Sequence, residues 1–451
     1  MRKGLVATLV VAASLAALVS AAASPPQGFA VPDRGVVRAK EDAPLLGLAW
    51  SGLERRQELV HVDPVSLRAL PEPALGLGST NTSWAYSPER EHLAIATHKE
   101  SRRGMVASLQ VVDPRTLRRE LALPLGYSEV RALAWLEPDR IVVARFAYHP
   151  ERLEITVVAP SAKRVIARSV VHGDVTAVGH TSGAVVLLLS PKGKIGAGTL
   201  VVASANGEVQ SVRLERIWIG LERDASQSED YVATQRRAGL AVDPDRNRAL
   251  VFPAGSDAAE IDLSSLTVTY HSLSEPVSLF GRLRRFLEPT ATAKSVDGPW
   301  RTAFWLGAGL VAVTGVDYAT WKDKESRMQT ASTPAGLTLV DTKTWRARTI
   351  DRRATWVSAA DGFLLATGEV CNSETRACSA MGLAAYGLDG ARRYRVFEDR
   401  AVHVSQVFRG LAQVGENGER MRLIELASGR VVATLPEAPP WLLLDDASSD
   451  G

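Results

Sequence analysis

The sequence has very little cysteine and, beyond its first residues, no long apolar run. Only two of its 451 residues are cysteines, so a framework of several disulfides is excluded, as is a four-thiolate metal site. After Val19 no segment approaches the roughly 20 apolar residues that a membrane-spanning helix needs. Basic and acidic residues nearly balance, 53 against 50, for a net charge of +3. This balance gives no reason to expect nucleic acid or an anionic membrane as a partner.

Familiar catalytic signatures are also missing from the sequence. It has no Gly-x-Ser-x-Gly elbow, which would mark a hydrolase nucleophile, and no His-Glu-x-x-His zinc motif. It has no haem-attachment motif, and its eight histidines are scattered along the chain. We therefore predict no catalytic residue, no metal ligand and no cofactor from linear motifs.

The first residues have the pattern of a secretory signal. Arg2 and Lys3 give a positive start, residues 5–19 form an uncharged apolar run, and residues 21–23 are three alanines suited to cleavage. The alternative is an uncleaved anchor helix. We expect residues 1–23 to be a cleaved signal peptide, 24–43 a linker and 445–451 an acidic flexible tail. The mature protein is then secreted or extracytoplasmic, with no integral membrane segment.

The two cysteines, Cys371 and Cys378, are separated by six polar or small residues. An exported protein meets an oxidising environment, where such a pair forms a disulfide. We expect this bond to close a loop and to stabilise the fold by roughly 2–3 kcal/mol. The alternative is a pair of free thiols.

From Pro44 onward the apolar residues alternate, with turn residues between the runs and almost no helical period. Residues 130–171 are typical: they predict four antiparallel strands, at 130–135, 140–146, 152–158 and 164–171. Four such strands in about 42 residues make one blade of a β-propeller. An aromatic residue often closes the first strand of a unit, and the candidates are Trp50, Tyr86, Trp135, Trp305, Trp356 and Phe408.

A short turn motif recurs four times: an Asp, two variable residues, Ser or Thr, then Leu or Trp. Its acids are Asp63, Asp113, Asp262 and Asp341. Each carboxylate can accept hydrogen bonds from backbone N–H groups of its own turn, so we interpret the four acids as structural and not as metal ligands. Their spacings of 50, 149 and 79 residues predict eight repeats in residues 44–444, with seven as the alternative. Residues 36–39 or 441–444 are the candidates to close the ring.

Residues 111–117 (VVDPRTL) and 84–88 (WAYSP) resemble the secreted bacterial β-propellers of the broad WD-repeat and YVTN-type group. The resemblance covers roughly residues 44–438. It implies a β-propeller fold and, because its motifs belong to repeat architecture, little about activity.

Two stretches depart from the repeat. Residues 221–238 are polar with mixed charge and predict an exposed loop. Residues 274–300 predict an insertion with one short amphipathic helix between Pro276 and Pro289. Three roles are open for this helix. It could pack on the propeller, it could dock a partner or act as a lid, or it could contact a membrane surface. The candidate docking residues are Leu279, Phe280, Arg282, Leu283, Arg284, Arg285, Phe286 and Leu287.

The leading functional hypothesis is a non-catalytic, monomeric binding or scaffold propeller for an extracytoplasmic protein or small ligand. The alternative is a propeller enzyme, a lactonase- or lyase-like hydrolase. In that case polar residues from different repeats would meet at one mouth of a central channel without any linear motif.

Overall fold

Two kinds of apolar pattern explain the strands of this protein. Residues 184–190 (AVVLLLS) are almost continuously apolar and form a strand buried on both faces. Residues 164–171 alternate between exposed and partly buried side chains, as expected at the edge of a sheet. The computed structural model describes residues 45–443 except 52–55, 65, 72–73, 78–81, 103, 224–232, 256, 274–295, 323–327, 361, 373–376, 417–420 and 436–438. The described residues form β-strands and contain no helix.

The strands follow one another in short antiparallel steps along the chain. The first ten are β1 Leu45–Ser51, β2 Arg56–Val62, β3 Leu75–Gly76, β4 Thr82–Tyr86, β5 Leu93–Ser101, β6 Gly104–Val112, β7 Arg119–Glu137, β8 Arg140–Tyr148, β9 Glu151–Ala159 and β10 Arg164–Val171. The next nine are β11 Asp174–His180, β12 Ala184–Ser190, β13 Ile195–Ser204, β14 Val209–Arg223, β15 Ala233–Arg236, β16 Gly239–Asp243, β17 Arg248–Phe252, β18 Asp257–Asp262 and β19 Val268–Ser272.

The remaining strands contain the longest hairpins of the second half. They are β20 Val296–Gly307, β21 Leu310–Lys322, β22 Met328–Pro334, β23 Leu337–Asp341, β24 Arg346–Asp351, β25 Trp356–Ala360, β26 Phe363–Asn372, β27 Ala377–Gly387, β28 Arg392–Val396, β29 Val402–Phe408, β30 Leu411–Glu416, β31 Arg422–Glu425, β32 Val431–Thr434 and β33 Trp441–Leu442.

The strands form sheets of four, seven, five, four, nine and four strands, so the expectation of uniformly four-stranded sheets is wrong. Three continuations of the hydrogen bonding explain the larger sheets. β7 is long enough to pair with β6 through its first half and with β8 through its second. β15 adds to the end of β14. β22 pairs with β21 and bridges to β26, which joins two neighbouring groups of strands.

Apart from these links, the strands repeat as antiparallel meanders of four, here called four-strand units. Residues 130–171 form such a unit, with β7, β8, β9 and β10 close to the predicted positions. The last described strand, β33, pairs with β1, so the two ends of the described chain share one sheet in the order β3-β2-β1-β33. Repeated four-strand meanders with shared ends are the architecture of a β-propeller. The expected all-β propeller fold is confirmed.

Apolar side chains fill the spaces between consecutive four-strand units. In the described residues they form eight clusters, and each cluster draws on two units. One cluster joins Leu59 of β2 to Leu93 of β5. Another joins Val62 of β2 to Phe408 of β29, and so connects the unit that contains β1 to the unit that contains β32. Every unit therefore has an apolar cluster on each of its two faces.

The turn between the third and fourth strand of each unit needs one residue in the left-handed backbone region. These residues are Leu67, Leu117, Lys163, Gly207, Leu266, Trp345, Gly390 and Gly429, with φ between 50° and 90°. Glycine adopts this conformation at little cost, whereas other residues cost roughly 1–2 kcal/mol. Leu67 and Leu117 are 1% and 6% exposed in the clusters between units. Their burial offsets the backbone cost, which explains why the motif ends in a large apolar residue.

The structure can be compared with the predicted positions of the strand-closing aromatic residues and of the loop 221–238. Tyr86, Trp135 and Trp305 occupy equivalent register positions near the ends of first strands. Trp50 lies in β1, the second strand of its unit, and Trp356 begins its strand instead of ending it. The predicted loop 221–238 contains the end of β14 and all of β15, because two polar segments can pair through backbone hydrogen bonds alone.

Other predictions concern residues that the structure does not describe. The signal peptide 1–23, the linker 24–43 and the tail 445–451 lie outside the described residues. The amphipathic helix and all eight of its candidate docking residues, between Leu279 and Leu287, lie outside them as well. The last part of the predicted insertion, residues 296–300, belongs to β20. In the described chain no helix is long and apolar enough to cross a membrane.

Candidate docking surface

The four motif acids cap their own turns. Asp113 Oδ1 accepts hydrogen bonds from the backbone N–H groups of Arg115 and Thr116 at 2.8 and 3.3 Å, and Oδ2 accepts from Thr116 Oγ1 at 2.8 Å. Asp63, Asp262 and Asp341 bond in the same way to the residues two or three positions later. Desolvation opposes ionisation of Asp113, but these hydrogen bonds outweigh it and lower its pKa. Every acid of the motif therefore serves its own turn.

A different acid caps the turn between β9 and β10, in one of the units that lack the motif Asp. Asp139, between β7 and β8, accepts hydrogen bonds from Ser161 N at 2.8 Å and from Ser161 Oγ at 2.7 Å. Desolvation opposes its ionisation, but the bonds from Ser161 and the charge of Arg140 lower the pKa of Asp139. A carboxylate from the neighbouring turn of the same unit therefore accepts the hydrogen bonds of this turn.

Cys371 and Cys378 face each other across β26 and β27 and form a disulfide. Glu369 lies beside them, and in the described residues these three make the one group whose His, Cys, Asp or Glu ligand atoms all lie within 4.8 Å of one another. Since both sulfurs are in the disulfide, the group offers no thiolate to a metal ion. The backbone N–H of Cys371 donates to Ser332 Oγ at 3.1 Å, which holds this hairpin against β22.

Different structural elements lie at the two ends of a four-strand unit. The Asp turns lie at the same end as the turns between first and second strands: Leu263 N donates to Asn247 O at 2.9 Å, and Thr342 N donates to Gly309 O at 2.8 Å. We call this the turn end and the opposite one the distal end. The strands that enlarge the sheets, β15 and β22, and the disulfide hairpin all lie at the distal end, in the units between β11 and β28.

The segment after β15 runs alongside the start of β20. Arg237 N donates to Pro299 O at 2.9 Å, and Arg301 N donates to Arg237 O at 3.1 Å, which makes a short parallel bridge. Gly298 permits this approach, because a Cβ atom there would lie 2.3 Å from the carbonyl oxygen of Gln235. The pairing brings the side chains of Arg237 and Trp300 together.

Three side chains form a cluster at this place, here called the Arg237–Trp300–Tyr318 cluster. The Cζ atom of Arg237 lies 4.7 Å from the centroid of the Trp300 ring, within the range of a cation–π interaction. The Tyr318 ring meets Trp300 edge-on, with centroids 5.3 Å apart and 71° between the planes. Tyr318 is 37% exposed. The cluster therefore presents a cation and two aromatic rings at the distal end.

Neighbouring residues hold the cluster in place. Arg301 Nη1 donates to Asp317 Oδ1 at 2.6 Å and to Trp300 O at 3.0 Å. Because side chains alternate along a strand, Arg301 and Asp317 lie on the opposite sheet face from Trp300 and Tyr318. This ion pair ties β20 to β21 directly beneath the aromatic pair.

Sequence reasoning did not single out this cluster. The sequence predicts an exposed loop at Arg237 and the end of an insertion at Trp300, and Tyr318 belongs to no motif. The one available signal was that both departures from the repeat, residues 221–238 and 274–300, end at residues that meet here.

No protein-family model matches the sequence, and no curated protein matches it. Solved structures that share similarity with the chain include BamB from Moraxella catarrhalis, at 10% identity and a TM-score of 0.43 over 79% of this chain and 90% of that one. The β-propeller domain of the Trilobed protease from Pyrococcus furiosus is similar at 12% identity and a TM-score of 0.39, over 79% and 99% of the two chains. The WD40 domain of Toxoplasma gondii coronin is similar at 12% identity and a TM-score of 0.38, over 90% and 92%.

Proposed function

We propose that this protein is an exported, non-catalytic β-propeller that binds a protein partner through its distal end. The observation that supports this proposal is that the segments added to the four-strand repeat meet at one place. They meet around the Arg237–Trp300–Tyr318 cluster. Aromatic and arginine side chains are the residues most enriched at the centres of protein interfaces. The propeller supplies a rigid scaffold for this cluster, because Trp300 and Tyr318 lie on β20 and β21 of one hairpin.

The proposal includes eight four-stranded blades, closed by β33 in the sheet of β1. Its support is the cyclic order of the apolar clusters. Eight clusters lie between consecutive four-strand units of the described chain, and the one that contains Leu67 and Phe408 links the last unit to the first. A ring of this kind needs one interface per blade. Most of the buried side chains at these interfaces are Leu, Val, Ile and Ala.

The proposed location is outside the cytoplasm, after removal of residues 1–23. The disulfide between Cys371 and Cys378 supports this location, because such bonds persist in oxidising compartments. The disulfide also cross-links β26 and β27 at the distal end.

Affinity capture with the purified full chain tests the docking surface. The test variant is Trp300→Ala with Tyr318→Ala, and the matched control is Ile166→Ala with Val170→Ala, two exposed apolar residues of β10. Partners identified by mass spectrometry should be captured by the wild type and by the control but lost with the test variant. Equal unfolding midpoints of the three proteins are required. A partner that is retained equally by both variants contradicts the proposed surface.

A further inference from the structure

Arg237 is a partly buried cation. Its Nε atom is buried and has no hydrogen-bond acceptor. In the described residues no carboxylate pairs with its guanidinium, whose observed contact is the ring of Trp300. Burial lowers the pKa of Arg237, although the group stays protonated at neutral pH.

Other partly buried arginines of the described chain are paired. Arg248 bonds Asp243 at 3.0 Å, Arg395 bonds Asp351 at 3.1 Å, and Arg145 bonds Glu154. The Nε atoms of these arginines also lack acceptors, but their terminal Nη atoms hold a carboxylate. Arg237 differs because its terminal nitrogens hold no carboxylate of the described residues. A desolvated charge without a partner destabilises the free protein, and an anion that pairs with it recovers part of that free energy.

We propose that Arg237 is the anchor for a carboxylate on an acidic peptide segment of the partner. This inference rests on the proposed function and names the chemistry of its partner. The Cζ atom of Arg237 lies over the Trp300 ring, and the N–H groups of a guanidinium lie in its own plane, where a planar carboxylate can accept two of them. The Trp300 ring and the Tyr318 ring that meets it edge-on offer apolar surface to the residues beside the acid.

A peptide carboxylate fits the cluster better than a polyanion does. Arg237 is the one cation of the cluster, and Arg301, one residue after Trp300, is already paired with Asp317, so a group with several negative charges would meet a single positive charge there. Two aromatic rings beside one cation suit alternating acidic and apolar side chains of an extended peptide. The ligand class is therefore a single carboxylate with apolar neighbours.

The test uses the full chain and a short fluorescein-labelled peptide of repeating Glu-Ala-Phe units, with binding measured by fluorescence anisotropy. Its isosteric control peptide replaces Glu with Gln. The variants are Arg237→Gln and, as a charge-matched control, Arg246→Gln, since Arg246 is exposed at the turn end. We expect Arg237→Gln to weaken binding about tenfold or more, from the net value of a charge-assisted hydrogen bond. Arg246→Gln and wild type should bind equally, and the Gln peptide should bind about as weakly as the Glu peptide binds Arg237→Gln.

A second variant, Arg237→Lys, keeps the charge and removes the planar fork, so we expect an intermediate affinity. Equal weakening by Arg237→Gln and Arg246→Gln would mean general electrostatic attraction and would overturn the proposal. Inorganic phosphate that displaces the peptide more effectively than acetate at equal ionic strength would overturn the carboxylate class.

The two proposals fail in different ways. If the Glu peptide does not bind but a captured partner is lost with the Trp300 and Tyr318 variant, the acidic-peptide inference fails and the docking surface stands. If the peptide binds through Arg237 but no partner depends on Trp300 and Tyr318, the proposed function fails.

Discussion

The side-chain amide of Gln406 forms a two-point hydrogen-bonded pair with the backbone of Leu442. Gln406 Nε2 donates to Leu442 O at 2.6 Å, and Leu442 N donates to Gln406 Oε1 at 2.9 Å. The amide thus makes the two hydrogen bonds that a neighbouring strand would make with Leu442. The other edge of β33 pairs with β1. The phenol of Tyr86 also donates to Leu443 O at 3.1 Å. Side chains from two neighbouring units therefore hold the last described strand in place.

Replacement of Gln406 by Leu should weaken this closure strongly. The substitution leaves the buried N–H and C=O of Leu442 without partners, and each unsatisfied group costs about 1–3 kcal/mol. We expect the free energy of unfolding in urea to fall by about 2–4 kcal/mol. Gln210→Leu, on an exposed position of β14, is the matched control and should change it by less than about 0.5 kcal/mol. Equal effects of the two substitutions would contradict the role of Gln406.

Lys163→Gly should stabilise the protein slightly. Lys163 is exposed and has φ of 52°, a conformation that costs a non-glycine residue roughly 1–2 kcal/mol. The greater chain entropy of glycine in the unfolded state offsets about half of this gain, so we expect about 0.5 kcal/mol.

Gly207→Ala at the equivalent turn should have the opposite sign. Gly207 has φ of 89°, and an added Cβ would lie 2.4 Å from the Cβ of Ala167. Left-handed strain and this clash together should lower the free energy of unfolding by about 1–3 kcal/mol. Thermal and urea denaturation measure both substitutions, and the same sign for the two would refute the conformational argument.

The acids that cap the turns should make the protein sensitive to low pH. The pKa of each of Asp113, Asp139 and Asp262 is lowered in the folded protein. A lowered folded-state pKa gives stability that is present above the unfolded value, about 3.9, and that is lost as pH falls through the folded value. The urea midpoint should therefore decrease below about pH 4. Thr116→Ala with Ser265→Ala removes hydroxyl donors to two of these acids and should reduce this decrease; an unchanged pH profile would contradict it.

Three tyrosines should ionise unusually late in an alkaline titration. Desolvation raises the pKa of Tyr86, Tyr386 and Tyr394 to about 12, and for Tyr386 the neighbouring Asp351 adds to the effect. A raised folded-state pKa gives stability that is complete below the unfolded value, about 10, and that is lost as pH rises through about 12. Phenolate absorbance should show a late phase while the fold persists. Tyr86→Phe should remove part of it; an unaltered late phase would exclude Tyr86.

Local patterns predicted the units of this fold well. The Asp turns and the strands of residues 130–171 follow from β-branched runs and turn residues that act over a few positions. The closure by residues 441–442 was one of two predicted candidates, because pairing between chain ends leaves no local signal. The fused sheets were missed, since nothing in the sequence shows that β7 continues through two units or that β22 meets β26.

The candidate site was beyond linear reasoning for a physical reason. Arg237 and Trp300 are brought together by one parallel bridge between segments that are far apart in sequence. Neither residue has a periodic neighbour that marks its role, and the contact between Arg237 and Trp300 is visible only in three dimensions. The predicted amphipathic helix remains a prediction, because it lies outside the described residues.

Site-specific photo-crosslinking tests the docking surface most directly. A photoreactive phenylalanine analogue replaces Tyr318 at the distal end in one variant and Arg246 at the turn end in the other, each in the full chain in cells that express it. We expect an adduct with one identified protein from position 318 and none with that protein from position 246. Adducts of equal yield at both positions, or an adduct at position 246 alone, would contradict a docking surface at the distal end.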